Sequence, residues 1–250
     1  MFYRSLLLPD LRMTLEAGDT DGLGEFCRAL HAAIVAEVLA ELDPSELWTV
    51  LRACEPELQA EIFGFFDETT QVSIVGVADR KELSKLIEVM APDDRVDFLE
   101  ELDEAQLEEL MPLIAQAERA DIRKLLSYPD GSAGSIMTTE YAWLREEITV
   151  GEALDELRRQ APDSETIYYV FIVNENRCLD GMVSLRELIL AKRTAKLTDI
   201  MNHTVISVRV DDEAEFVARE IARYNFLAIP VVDSHNRLVG IVTGDDALDI

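Results

Sequence analysis

The sequence predicts a multidomain chain: an all-α superhelical N-terminal domain followed by a tandem pair of small α/β domains. Three observations predict it. One internal repeat is helical in character, and a second repeat alternates short β-rich runs with helices. Between them the pattern changes sharply at "LLSYPDGSAGSIM", which carries Pro129, Gly131 and Gly134. With 250 residues, 48% of them hydrophobic, and few Gly and Pro, the chain can bury sizeable cores and is no disordered tail.

The helical half comes first. Leu47, Val50, Leu51 and Cys54 fall at i, i+3, i+4, i+7, as do Leu83, Leu86, Ile87 and Met90, and then Leu107, Leu110, Met111 and Ile114. "DPSELWTVLRACEPELQAEIFGFFDE" from Asp43 lies over "DRKELSKLIEVMAPDDRVDFLEELDE" from Asp79 without a gap, at a spacing of 36 residues. Each unit reads as a helix, a short turn at Pro56 or Pro92, and a second helix. Stacked helix pairs bury their apolar faces on one another as a solenoid, an architecture of scaffolds and contact surfaces. No nucleophile and base pair is recognisable in this half, which reads as an interaction element.

The second half also repeats. "YYVFIVN" (168–174), "DGMVS" (180–184), "FLAIPVVD" (226–233) and "LVGIVT" (238–243) read as strands, with "TVGEALDELRR" and "EAEFVAREIARY" as amphipathic helices between them. The two copies are 64 residues apart before a loop and 59 after it, because "PDSET" (162–166) lengthens the first. Each is a β-α-β-β-α unit, and two such units facing each other bury the second face of both sheets. The boundaries fall at 1–130, 131–197 and 198–250.

Charge narrows the partners. The formal net charge is −27, divided as −18 over residues 1–130 and −9 over 131–250. Such a field repels nucleic acid and anionic membrane surfaces and attracts cations and basic partners. Cys27, Cys54 and Cys178 are odd in number, far apart in sequence and free of any C-x-x-C, which argues for reduced cytosolic thiols. His31, His203 and His235 form no ligand pair. The longest apolar run, "FLAIPVV", is too short to span a bilayer, so no membrane insertion of this chain itself is expected. No Cys/His, Ser/His or metal-ligand constellation points to an enzyme.

The motif "IM…V…A…A…IPVVDxxxRLVGIVTxxD" resembles the CBS module, here a tandem pair with a close second copy and a degenerate first. An acidic helical superhelix joined through "LLSYPDGSAGSIMT" to two such copies resembles the cytosolic part of the MgtE magnesium transporters, over nearly the whole chain. The resemblance implies a Mg2+-sensing regulatory region at the cytoplasmic face of the inner membrane. It further implies a homodimer through the CBS pair and a connecting helix leading to the chain's own transmembrane pore domain. Mg2+ would bridge the helical domain and the CBS pair to hold the pore closed. A closing helix that runs into Ile250 fits that order.

Asp93 and Asp97 are spaced i, i+4, and Glu57 and Glu61 hold the same places one repeat earlier. After Pro92, Asp93 and Asp94 sit in a helix first turn, where the macrodipole favours acids; Asp97 lies one turn further in. Matched to the family, the CBS-side cation candidates are Asp246, Asp249, Glu213 and Glu215, and Asn225 departs from an acid that the family pattern can carry. Glu213 and Glu215 also read as the solvated start of a helix. The metal set is therefore Glu61, Asp93, Asp97, Glu213, Glu215, Asp246 and Asp249. The alternative function is an adenine-nucleotide sensor: Gly240, Thr243 and Asp246 satisfy the G-h-h-T-x-x-D pattern that binds ATP ribose hydroxyls in some CBS modules. The first copy offers Gly181, Ser184 and Glu187 there. Thr243 and Asp246 equally fit a helix cap, leaving Asp246 between cap, ribose and cation.

Overall fold

The computed structural model describes residues 2–248, with side chains from residue 6 onward except those of 117 and 163. Two compact units result, one of Met1–Met90 with Asp94–Ile122, the other of Arg123–Ile250 with Ala91–Asp93. Among the described residues no helix is long and apolar enough to cross a membrane.

The helices before the junction are α1 (Phe2–Ala17), α2 (Thr20–Arg28), α3 (Ala32–Leu39), α4 (Pro44–Leu51), α5 (Pro56–Gly64), α6 (Glu68–Val75), α7 (Arg80–Val89), α8 (Pro92–Glu100), α9 (Glu104–Leu110) and α10 (Gln116–Leu125). This corrects the helix-pair expectation. The period of 36 holds three helices: α4, α7 and α10 start one period apart, as do α2, α5 and α8, and α3, α6 and α9. The third helix is absent from the repeat match because the matched segment stops at its first residue, and only α9 is read, from the spacing of Leu107, Leu110 and Met111. Helices two places apart pack together, α1 on α3, α2 on α4, α3 on α5, α4 on α6, α5 on α7 and α7 on α9. Contacts therefore run from neighbour to neighbour, as in a solenoid.

The same positions are buried in successive periods. Leu47, Trp48, Val50 and Leu51 of α4 match Leu83, Ser84, Leu86 and Ile87 of α7, and Ala60, Ile62 and Phe63 of α5 match Val96, Phe98 and Leu99 of α8. Phe63 and Phe98 meet edge to face, 5.0 Å between ring centroids.

Part of the acidic excess is spent on helix starts. Asp43 and Asp79 cap α4 and α7, and Asp67 and Asp103 cap α6 and α9, each accepting a backbone N–H of the first turn. The hydrogen bonds from Thr70 hold the exposed Asp67 carboxyl below its ordinary range, and those from Ser45 and Glu46 do the same for Asp43. A depressed folded-state value means the cap stabilises above the ordinary carboxylate range and is lost as pH falls through the depressed one. Asp67→Ala should therefore lower the melting temperature at neutral pH, and the gap from the parent should close in strong acid. Thermal melts of both proteins across that range check it.

In the second unit the first copy comprises β1 (Tyr141–Arg145), α11 (Val150–Gln160), β2 (Thr166–Val173), β3 (Leu179–Ser184) and α12 (Leu185–Leu190). The second comprises β4 (Val208–Arg209), α13 (Ala214–Tyr224), β5 (Ala228–Val232) and β6 (Leu238–Thr243). Each sheet is three-stranded, parallel between its first two strands and antiparallel between its last two. The helices α11 and α13 start 64 residues apart and β3 and β6 start 59 apart, as read from the sequence. The extra residues of the first copy lie in a 3-10 turn, Ala161–Asp163, and the start of β2. The second copy instead ends α13 on Asn225, whose φ of 53° is left-handed. Asn tolerates that conformation better than most residues, which gives a backbone reason for Asn225.

Alternation along β2 divides the core. Val170 and Ile172 face the first copy's own helices with Leu157 and Leu188, while Phe171 and Val173 pack with Ala228, Leu238 and Ile241 of the second copy. Both sheets thus bury their second face on each other. The expected closing helix of the second copy is, within the described residues, a 3-10 turn, Asp246–Leu248.

The leading segments are exchanged between copies. Thr138 and Ile241 swap backbone hydrogen bonds of 2.9 and 3.0 Å, and Met182 and Asn202 do so at 3.0 and 2.8 Å. A Cβ on Gly240 would stand 2.5 Å from Met137 Sδ and 2.9 Å from the Thr138 carbonyl oxygen; at Gly181 it would stand 2.8 Å from Met201 Sδ. Gly240→Ala should cost about 1–3 kcal/mol by overpacking, measurable by urea denaturation.

Candidate functional site

The period of three helices brings out an acidic column along α2, α5 and α8. Positions two and six of α2, α5 and α8 carry Asp21 and Glu25, Glu57 and Glu61, Asp93 and Asp97. Asp21, Glu25, Glu57, Glu61 and Asp97 are exposed, and Asp93 is buried. The first member of each pair lies in a helix first turn, where the helix dipole favours an acid. Glu25, Glu61 and Asp97 lie a turn deeper, where that reason no longer operates. Like charges at i, i+4 cost a few tenths of a kcal/mol per exposed pair. Asp21 and Glu25 were missed in the sequence because α2 lies outside the gapless match; α8 to α5 to α2 is the step that finds them.

Between Asp93 and Asp97 lies Arg95, 2% exposed. Its guanidinium donates to Glu118 Oε2 at 2.6 Å, to the Met90 carbonyl at 2.8 Å and to the Glu88 carbonyl at 3.4 Å. These bonds tie the start of α8 to the end of α7 and to α10, fixing the helix that carries both aspartates.

On the second unit the predicted residues lie in distinct settings. Glu213 is the exposed N-cap residue of α13 and makes no side-chain cap bond. Glu215 is exposed and pairs with Arg219 at 3.3 Å, an i, i+4 pair of its own helix. Asp246 is half-buried and accepts hydrogen bonds from the Thr243 hydroxyl and, at 3.4 Å, from the Thr243 backbone N–H. Burial raises its carboxyl above the ordinary value, the Thr243 bonds oppose the rise, and the neighbouring Asp245 adds to it. In the first copy Glu187 bonds Ser184 in the same way, and Thr149 with Glu152 opens α11 likewise. The cap is thus a recurring device of this unit. Gly240 underlies Met137, as described above. Asp249 lies outside the described residues.

Among the described residues no three His, Cys, Asp or Glu groups converge as a metal shell. The donor chemistry still suits Mg2+, a hard ion that takes one or two carboxylates and keeps several waters.

The second unit also has an open groove of about 540 Å3, lined by Tyr168, Tyr169, Ser184, Leu185, Arg186 and Leu227 among others. It offers aromatic surface, a guanidinium and the Ser184 cap in one place. Its volume is that of a small-molecule site. The sequence motif pointed instead to the equivalent turn of the second copy.

A helical-repeat unit followed by two β-α-β-β copies packed sheet to sheet is the architecture of a helical domain joined to a CBS-type pair. The family description "MgtE intracellular N domain" matches residues 30–131, and "CBS domain" matches residues 133–193 and 197–250. The magnesium transporter MgtE of Thermus thermophilus is 37% identical over 98% of this chain and 55% of its own length. The magnesium transporter MgtE of Enterococcus faecalis is 46% identical over 53% of this chain and 29% of its own. The crystal structure of the cytosolic domain of the Mg2+ channel MgtE in complex with ATP is 37% identical, with a TM-score of 0.92 over 97% of this chain and 99% of that one. The crystal structure of the soluble part of a magnesium transporter gives 33% identity and a TM-score of 0.92 over 98% and 97%. The chain belongs to the MgtE family, a family of transporters and not of enzymes. It spans about half the length of the Thermus thermophilus relative.

Proposed function

We propose that this chain is the cytosolic Mg2+-sensing regulatory region of a magnesium transporter, held at the cytoplasmic face of the inner membrane by the transporter's own transmembrane pore domain. Mg2+ shared between the acidic faces of the helical domain and the CBS pair favours a compact, closed state, and loss of Mg2+ opens the pore. The observation that carries this reading is the acidic pair recurring at the same helix positions in three successive periods. Carboxylates about 6 Å apart repel by roughly 0.7 kcal/mol per pair even at the dielectric of water. A divalent ion that neutralises them is therefore favoured, and binding that stabilises one arrangement follows free Mg2+ by mass action. The CBS-side ligands come from Asp246, Asp249, Glu213 and Glu215, with Glu215 giving up its Arg219 pair. Limited proteolysis at 128–137, with and without Mg2+ at matched ionic strength, tests the reading: Mg2+ should slow cleavage, and an unchanged rate overturns it.

A second reading, adenine-nucleotide binding, is favoured by the groove at Tyr168, Tyr169 and Arg186. An aromatic wall suits a nucleobase and a guanidinium suits phosphate. Calorimetry with ATP and AMP should then show binding that Arg186→Ala weakens at least tenfold. Loss on Asp246→Ala alone would place the ribose at Gly240, Thr243 and Asp246 instead. No heat with either nucleotide rejects the reading.

The homodimer would form through the CBS pair, where Ile189 and Leu190 of α12 stand 65% and 73% exposed. Sedimentation of the parent and of Leu190→Glu distinguishes a dimer from a monomer.

A further inference from the structure

Cys27 and Cys54 are 27 positions apart in sequence, yet the fold brings their thiols together. Cys27 lies on α2 with no exposed surface, and Cys54 follows α4, half-buried, its thiol reaching the Val50 carbonyl at 3.7 Å. The helix α2 packs on α4, and the approach is close: a Cβ on Gly24, one turn before Cys27, would stand 2.7 Å from the Ala53 carbonyl oxygen. By the period of 36, Cys27 and Cys54 take the places of Phe63 and Met90, both buried beside the corresponding packing of α5 on α7. Where the next repeat has two apolar side chains, this one has two thiols near enough to perturb each other's ionisation.

We propose that Cys27 and Cys54 form a reversible intrachain disulfide when a hydroperoxide is supplied, making the α2–α4 seam an oxidative modification site. The roles of the two sulfurs differ. The approach of Cys27 and the nearby Arg28 guanidinium lower Cys54, against its burial, while the approach of Cys54 and burial raise Cys27. Cys54, the more exposed of the two, is the attacking thiolate. Its sulfur attacks a peroxide oxygen, the O–O bond breaks, and the departing alkoxide or hydroxide takes a proton from water, leaving Cys54 sulfenic acid. The Cys27 sulfur then attacks the Cys54 sulfur, the S–O bond breaks, and hydroxide leaves with the Cys27 proton as water. Two thiols lose two electrons and one hydroperoxide gains them; a small dithiol reverses the step. Cys178 is on the second unit, its thiol toward the His235 carbonyl at 3.4 Å, and takes no part.

The test uses the full chain carrying Cys178→Ser, exposed to hydrogen peroxide, unfolded and alkylated. The expected result is an intact mass lower by two hydrogens, neither thiol alkylated, a linked peptide containing Cys27 and Cys54, and recovery of both thiols with dithiothreitol. Two alkylatable thiols after exposure, a linkage between chains, or Cys54 sulfinic acid beside a free Cys27 would each overturn the proposal. In the same background Cys27→Ser should leave Cys54 as a sulfenic acid trapped by a dimedone probe. A failure to trap it, while Cys54→Ser traps Cys27, overturns the assigned order.

Discussion

Arg95→Ala should remove about 2–5 kcal/mol from the stability of the helical unit, the range for truncating a large buried side chain. The loss has two origins. The Met90 and Glu88 carbonyls lose a charged donor, and Glu118, a little over one-third exposed, keeps its charge without the 2.6 Å partner. Arg95→Met, which keeps the aliphatic packing, should recover part of the loss but not the carbonyl contacts. Urea denaturation followed by circular dichroism checks both variants. A cost under 1 kcal/mol for Arg95→Ala would mean that α8 is held by Phe98 and Leu99 alone. The charge-reversal partner, Glu118→Lys, should also destabilise, because it leaves the buried Arg95 guanidinium without its carboxylate and sets a second positive charge beside it.

Neutralising the acidic column should abolish most of the protein's thermal response to Mg2+. Asp21→Asn, Glu25→Gln, Glu61→Gln and Asp97→Asn together change exposed side chains without altering their size. In chelator the variant should melt at or above the parent, because three like-charged pairs are relieved. With Mg2+ at a hundredfold over its dissociation constant the parent should gain about 2.7 kcal/mol, and the variant should gain only what its remaining acids supply. Differential scanning calorimetry in matched ionic strength reads both differences. An equal Mg2+ response in the two proteins would remove the column from the sensing site and leave the second-unit acids to account for it.

Much of this architecture was legible because repetition writes it twice. The spacing of 36 and the offset of 64 and 59 placed the helices and strands, and the alternation in "YYVFIVN" placed both faces of β2. Three features were not legible. A helix that begins at the last residue of a matched segment leaves no trace in that match, so α6 went uncounted, while α9 showed only through the spacing of Leu107, Leu110, Met111 and Ile114. Gly240 and Thr243 read equally as ligand residues and as packing and capping residues; only the position of Met137 shows what the missing side chain makes room for. The thiol pair was hidden by linear distance, although superposing Cys27 on Phe63 and Cys54 on Met90 brings it into view. Among the candidate metal residues, the sequence named the types and spacing, but not that Asp93 is buried while Asp97 is exposed.

The crossed leading segments make each CBS copy a debtor to the other. Residues up to Thr138 complete the sheet of the second copy, and residues up to Asn202 complete that of the first. A gene fragment cut between the two repeats would therefore yield two pieces, each missing an edge it cannot supply. Either should misfold when expressed alone, and the two should refold when mixed. What is inherited, duplicated or grafted as a working part is then the pair, so a single exchanged copy from a relative must match its neighbour's leading segment as well as its own core.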